Sequence, residues 1–198
     1  MNGRNLPMNL EVARPGVDTF WGEMASCEHV LQVYRSESVF RDTLAGFIGD
    51  GLERGEATIV IATAAHRSSL EVRLREAGND LDSARADARY IALDAAETLS
   101  RFLRQGFPDT ACFERVVRDV VLQARGPGRP VRVFGEMVAL LWADGLTDAT
   151  LRLEQLWNEL LAREQLTLFC AYPRIGATRD LSDAFTDICA AHSQVAFV

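Results

Sequence analysis

The chain runs to 198 residues, long enough for one domain with a sizeable core. Hydrophobic residues make up 48% and charged residues 25%, as in an ordinary globular protein, and a net charge of −7 leaves no basic face with which to grip a nucleic-acid backbone. All 21 basic residues are Arg, so the chain has no phosphate-loop lysine, no Schiff-base lysine and no lysine general base.

The opening MNGRNLPMNLEVARPG carries no apolar stretch of the signal-peptide kind, and no later run approaches the ~20 apolar residues of a membrane span. The expectation is a cytoplasmic protein without membrane contact. Residues 1–25 read as a loose N-terminal arm and residues 26–198 as one domain. Phe20, Trp21 and Met24 in the arm are candidates for a homodimer contact. HVLQVY (29–34) reads as the first strand. Ser36 or Ser38 then caps a helix with Phe40, Leu44, Phe47, Ile48 and Leu52 on its apolar side. ATIVIAT (57–63) is the continuous apolar run of a strand covered on both faces. A helix over 68–78 ends at Gly78, a turn passes through Asn79, Asp80 and Asp82, and ARYIALD (88–94) is a strand. Residues 95–106 read as a helix closed by Gly106. Asp109 or Thr110 caps the next helix, whose stripe is Phe113, Val116, Val117, Val120 and Val121.

GPGRP (126–130) breaks the chain; VRVFGE (131–136) is the fourth strand and 137–143 a short helix. Thr147 or Asp148 caps a long helix bearing Leu153, Leu156, Trp157, Leu160 and Leu161. LTLFCAY (166–172) is the fifth strand, 181–193 the last helix, and QVAFV a candidate terminal strand. Strands that alternate with helices predict a three-layer α/β/α fold, with a mainly parallel central sheet and right-handed crossovers. Ligands in such sheets bind at the carboxyl ends of the strands. Those ends are Tyr34-Arg35-Ser36, Thr63 to His66, Asp94, Gly135-Glu136 and Tyr172-Pro173.

The cysteines, Cys27, Cys112, Cys170 and Cys189, are far apart and form no CxxC pair. Cys27 with His29, and Cys189 with His192, are either parts of a composite metal site or small buried residues. The wide spacing favours burial, and neither a metal nor a cofactor is expected. The turn after the first strand, YRSESVF, has no Gly and no Lys, so it offers neither a phosphate loop nor a GxGxxG fingerprint.

The stretch from Gly55 to Leu99 is similar to a segment of KaiC/RecA-type domains, and VRVFGEMVALLW with LTLFCAYP resembles their Walker B strand and the strand beyond it. More closely, the chain resembles the MEDS family, the sensory domain named for methanogens, methylotrophs and the dichloromethane regulator DcmR. The resemblance rests on His29, Tyr34, Gly55-Glu56, His66, DAAETL (94–99), FGEMVALLW (134–142), LEQLWNELL (153–161), LFCAYP (168–173) and ICAAHSQV (188–195), and covers residues 28–195. It implies a RecA/KaiC-like fold with a degenerate phosphate loop that senses a small, hydrocarbon-like molecule. In RecA-type order, 167–172 lies between 29–34 and 131–135, with 89–93 toward an edge. Relatives carry histidine-kinase or helix-turn-helix modules. This sequence shows none, so the expectation is a stand-alone sensor that signals to a separate kinase or transcription regulator.

Glu136 either caps the helix after it or contacts a ligand or ion. His66 either caps a helix start or joins that contact. Trp142 and Trp157 are core residues or pocket walls, readings that overlap for an apolar site. Tyr34 and Tyr172 end neighbouring strands, and each faces a pocket or reaches solvent. His29 lies at the far end of its strand and reads as structural; His192 has no local signal beyond the resemblance. The candidate ligand-binding set is Tyr34, Glu37, His66, Glu136, Trp142 and Tyr172, with Tyr34, His66 and Tyr172 expected on one pocket wall with Glu136. Gly135 is expected to let the backbone turn at the mouth of the cleft. No catalytic residue is assigned. The alternatives are an inactive NTPase kept as an interaction scaffold, and a hydrolytic enzyme using Glu136 and His66 as acid and base.

Overall fold

The computed structural model describes residues 28–174 and 183–198; the expected arm at 1–25 and Cys27 lie outside them. Six strands form one sheet: β1 (His29–Tyr34), β2 (Ala57–Ala62), β3 (Tyr90–Asp94), β6 (Val131–Gly135), β7 (Thr167–Pro173) and β8 (Gln194–Phe197). Their order is β3-β2-β6-β7-β1-β8, and every pairing in it is parallel. β7 lies between β1 and β6, and β3 at an edge, as the RecA-type comparison predicts. The terminal QVAF strand is the other edge, beside β1.

All six residues of β1 and all six of β2 are buried, because helices cover both faces. Side chains alternate across a strand, so each strand feeds two cores. One core holds Val60, Ala62, Phe134 and Phe169 against α1 (Glu37–Glu53), α2 (Ala64–Glu76) and α3 (Leu81–Ala86). The other holds Leu31, Val33, Ile59, Ile61, Val133 and Leu168. It packs against α4 (Ala95–Ser100), α5 (Thr110–Phe113), α6 (Asp119–Arg125), α7 (Met137–Ala143), α8 (Thr147–Glu164) and α9 (Asp183–Ala190). Trp157 of α8 is a fully buried core residue on this second face.

Local chemistry moves several boundaries. The helix expected over 95–106 stops at Ser100. Gln105 and Gly106 have φ of 54° and 80°, which makes a tight turn between β4 (Leu103–Arg104) and β5 (Phe107–Pro108). The turn expected at 79–82 is instead the cap of α3, where the Asp80 carboxylate accepts the Ser83 amide at 3.0 Å. Asp109 does cap α5, accepting from Cys112 at 2.8 Å. α5 then passes through a π-helical turn, Glu114–Arg118, into α6. The N-cap of α8 is Leu146, without a side-chain bond, not Thr147 or Asp148. Ser36 occupies the N-cap of α1, but its hydroxyl pairs with the Ser38 hydroxyl rather than with a backbone amide of the helix. Among the described residues no helix is long and apolar enough to cross a membrane.

Candidate functional site

Between the end of β1 and the start of α1 there are only Arg35 and Ser36, so the backbone has no length in which to wrap a phosphate. The first residue of α1 is Glu37. Across from it, β2 ends at Ala62, and Thr63 caps α2 by accepting the His66 amide at 3.4 Å. β6 ends at Gly135, and Glu136 follows with its amide bonded to Ile61 at 2.9 Å. Three carboxyl-end loops thereby converge.

They meet on His66. Its Nδ1 lies 2.8 Å from Glu136 Oε1 and its Nε2 2.6 Å from Glu37 Oε1. Ionised carboxylates only accept, so against two of them the ring makes both bonds as the doubly protonated imidazolium. Its pKa is raised, chiefly by the bond to Glu136, although burial pulls the other way. For Glu37, burial pushes upward, but the bonds and charges of His66 and Arg41 hold the carboxyl below its usual value. Glu136 Oε2 also accepts the Thr63 amide at 2.7 Å. Glu136 therefore caps a helix, but it is α2, which follows a neighbouring strand. It makes no side-chain bond to the start of α7. Below the triad Phe40 meets the His66 ring edge-on at 5.0 Å, and Tyr34 stacks on Phe40 at 4.6 Å. Burial, then the charges of Glu37 and Glu136, push the Tyr34 phenol far up. Exposure falls from 45% at the Glu37 side chain to 13% at His66 and 11% at Glu136, so Glu37 is the outer member.

Thus Tyr34, Glu37, His66 and Glu136 come together. Tyr172 and Trp142 do not, contrary to the shared wall expected for Tyr172. In register Val33 is opposite Tyr172 and Tyr34 opposite Pro173, so the two tyrosines leave the sheet on opposite faces. Tyr172 is fully buried, donates to Glu154 Oε1 at 2.7 Å, and meets Trp142 and Phe185 edge to ring. Nor is Gly135 a sharp turn: it has no positive φ, and a Cβ there would meet the Trp157 indole at 3.4 Å, at ordinary contact distance. The other strand end, Asp94, caps α4 through the Glu97 amide at 3.0 Å and pairs with Arg67 at 2.8 Å. Glu56 of the Gly55-Glu56 pair joins Asp50 on the buried Arg132, under α1.

The second face carries a polar cluster that spacing did not reveal. His29, Glu154, Cys170 and His192 converge in the core between β1, β7, α8 and the turn after α9. His29 Nδ1 lies 2.8 Å from Asn158 Oδ1, and Asn158 Nδ2 donates to the Ala191 carbonyl at 2.9 Å. His192 Nδ1 lies 2.7 Å from the Ile188 carbonyl. Burial pushes the Glu154 carboxyl, the Tyr172 phenol and the Cys170 thiol up. Burial, with His192 adding to it, pushes His29 down. The expected partner Cys189 is half-buried and outside the group. Cys170 and Glu154 stand with the two histidines instead, and Cys27 lies outside the described residues. One signal was available: Glu154 and Asn158, four apart, sit within the apolar stripe of α8, beside Leu153 and Trp157.

A parallel α/β sheet in this strand order, with a two-residue first loop and no lysine, defines a RecA/KaiC-like domain without a phosphate-binding loop. The structure is similar to that of a KaiC-like protein from the hyperthermophilic archaeon Pyrococcus horikoshii. The TM-score is 0.60 at 16% identity, over 86% of this chain and 71% of that one. The model of the MEDS family, the MEthanogen/methylotroph, DcmR Sensory domain, matches residues 28–193, and the chain belongs to that family of sensory domains. No curated protein matches it.

Proposed function

We propose that the chain is a cytoplasmic small-molecule sensor. Its ligand, small and mostly apolar with one polar handle, engages Glu37, His66 and Glu136 above Tyr34 and Phe40. The bound state is passed to a partner such as a histidine kinase or a transcription regulator. The observation that carries this reading is the imidazolium held between two carboxylates from different elements. These bonds tie α1, α2 and the β6–α7 junction to one another. A ligand whose handle competes for Glu37, the exposed member, loosens α1 from that knot, and α1 is a surface a partner can read. Two carboxylates around one cation leave the site net negative, which favours a handle that donates hydrogen bonds or carries positive charge. Tyr34 and Phe40 supply the apolar wall.

The same geometry argues against catalysis. A general base needs a lone pair, and both His66 nitrogens are occupied as donors. The test is thermal shift and calorimetry with short-chain alcohols, alkylamines, halomethanes and ATP with magnesium. Saturable stabilisation by one of the small compounds, lost in Glu136→Gln, is expected, because a ligand that binds only the folded state raises its melting temperature. Stabilisation by nucleotide, or a small-compound effect undiminished in Glu136→Gln, overturns the reading.

A further inference from the structure

We propose that His29, Glu154, Cys170 and His192 bind one divalent d-block ion of the zinc class in a closed, four-coordinate site inside the core. This goes beyond the sensory reading and does not depend on it. The first argument is tautomeric. Asn158 donates its NH2 to the Ala191 carbonyl, so its oxygen faces His29 and His29 Nδ1 must be the donor. The Ile188 carbonyl likewise makes His192 Nδ1 a donor. Both Nε2 atoms therefore turn lone pairs toward Glu154 Oε2, from 3.5 and 3.6 Å. Fixing a ligand imidazole by a hydrogen bond at its other nitrogen is what metal sites do. Tyr172 orients the carboxylate in the same way, through Oε1.

The second argument is the unmet need. His192 Nε2 is buried and has no hydrogen-bond partner, in a residue only 9% exposed. A charge-assisted bond to Glu154 would need about 2.7–2.9 Å, which 3.6 Å does not provide. The Cys170 thiol can offer its one proton to His29 Nε2 at 3.4 Å, but no donor meets His192 Nε2, whereas a cation would draw the lone pairs of all four groups together.

The third argument is size. Zinc bonds of about 2.0–2.1 Å to nitrogen or oxygen and about 2.3 Å to sulfur put the ligands of a tetrahedron about 3.3–3.7 Å apart. Here His29 Nε2 is 3.4 Å from Cys170 Sγ, the two histidine–carboxylate edges are 3.5 and 3.6 Å, and the thiol–carboxylate edge is 4.0 Å. All four atoms lie within 4.8 Å of one another. Two imidazoles, a carboxylate and a thiol suit zinc or cobalt better than magnesium or calcium. Four protein ligands leave no open position, so the ion staples β1, β7, α8 and the chain after α9 rather than activating water.

The experiment uses the full chain, stripped by chelator and reloaded with zinc chloride or cobalt chloride. About one equivalent of zinc is expected, with a raised melting temperature that chelator reverses. Cobalt should give the intense visible bands of a tetrahedral site and a near-ultraviolet thiolate charge-transfer band. Cys170→Ser should lose that charge-transfer band, and His192→Gln should lose most of the metal. Cys189→Ser, nearby but outside the cluster, should keep both. If His192→Gln does not fold, the cobalt spectrum of Cys170→Ser decides. Substoichiometric metal in the wild type, a weak octahedral cobalt spectrum, or a charge-transfer band that survives Cys170→Ser and disappears in Cys189→Ser overturns the proposal.

Discussion

Glu136→Gln takes the charge from the group that holds His66. In the wild type one carboxylate oxygen accepts from the imidazolium at 2.8 Å and the other from the Thr63 amide at 2.7 Å. A glutamine offers one oxygen and turns an NH2 toward whichever donor it fails to serve. Hydrogen bonds to charged groups contribute about 1.5–3 kcal/mol. The side chains are 13% and 11% exposed, so solvent screens them little. A loss of about 2 kcal/mol follows, which for a domain of this size is roughly 4–8 °C in melting temperature. The pH dependence is the sharper readout. His66 has a raised pKa in the folded chain, first through its bond to Glu136. A raised histidine pKa adds stability that is fully present below the unfolded value of about 6.5 and is lost as pH rises through the folded value. The gap between wild type and variant should therefore be widest near pH 6 and narrow toward pH 9, in a series of urea denaturations. A gap that stays constant across that range, or no gap at all, would refute an imidazolium held by Glu136.

Three other outcomes are expected. Arg132→Met leaves Glu56 without its cation and Asp50 with Arg54 alone, and should cost about 3 kcal/mol in urea denaturation. Trp157→Ala empties a fully buried site between Gly135 and Phe113 and should cost about 3–5 kcal/mol by the same measurement. Phosphate release from ATP with magnesium should not exceed the blank, because no lysine stabilises charge on the phosphates and the first loop is two residues long. Turnover that vanishes in Glu136→Gln would contradict this.

Much of the fold was legible because parallel sheets leave a compositional mark. HVLQVY and ATIVIA are apolar or β-branched almost throughout, and only a strand covered on both faces tolerates that. The strand order came from the resemblance, since nothing local tells β7 to lie between β1 and β6. The errors fell where backbone chemistry competes with periodicity. Phe102 and Leu103 continue the apolar spacing of α4, but Gln105 and Gly106 turn left-handed and fold the chain into a hairpin. Asp80 looked like a turn residue because Asp and Asn favour turns and N-caps for the same reason, a short side chain that captures a nearby amide.

The sites were legible in part because strand ends are, while strand faces are not. Reading along β6, Val131, Val133 and Gly135 face the α8 side, and Arg132 and Phe134 face α1. Glu136, next in the alternation, turns to the α2 side and finds His66. In β1 the same alternation sends Tyr34 to that side and His29 to the other. In β7 it sends Cys170 and Tyr172 to the side of His29. Whether Tyr34 and Tyr172 share a face depends on the register of β1 with β7, which pairs Tyr172 with Val33 and Tyr34 with Pro173, and a buried strand with apolar residues on both faces does not announce its register. As it is, the register keeps two of the sheet's polar groups apart. One is half-open at the strand ends, with Glu37 as its outer member. The other is sealed among β1, β7 and α8, where His192 Nε2 is the one cluster atom without a hydrogen-bond partner.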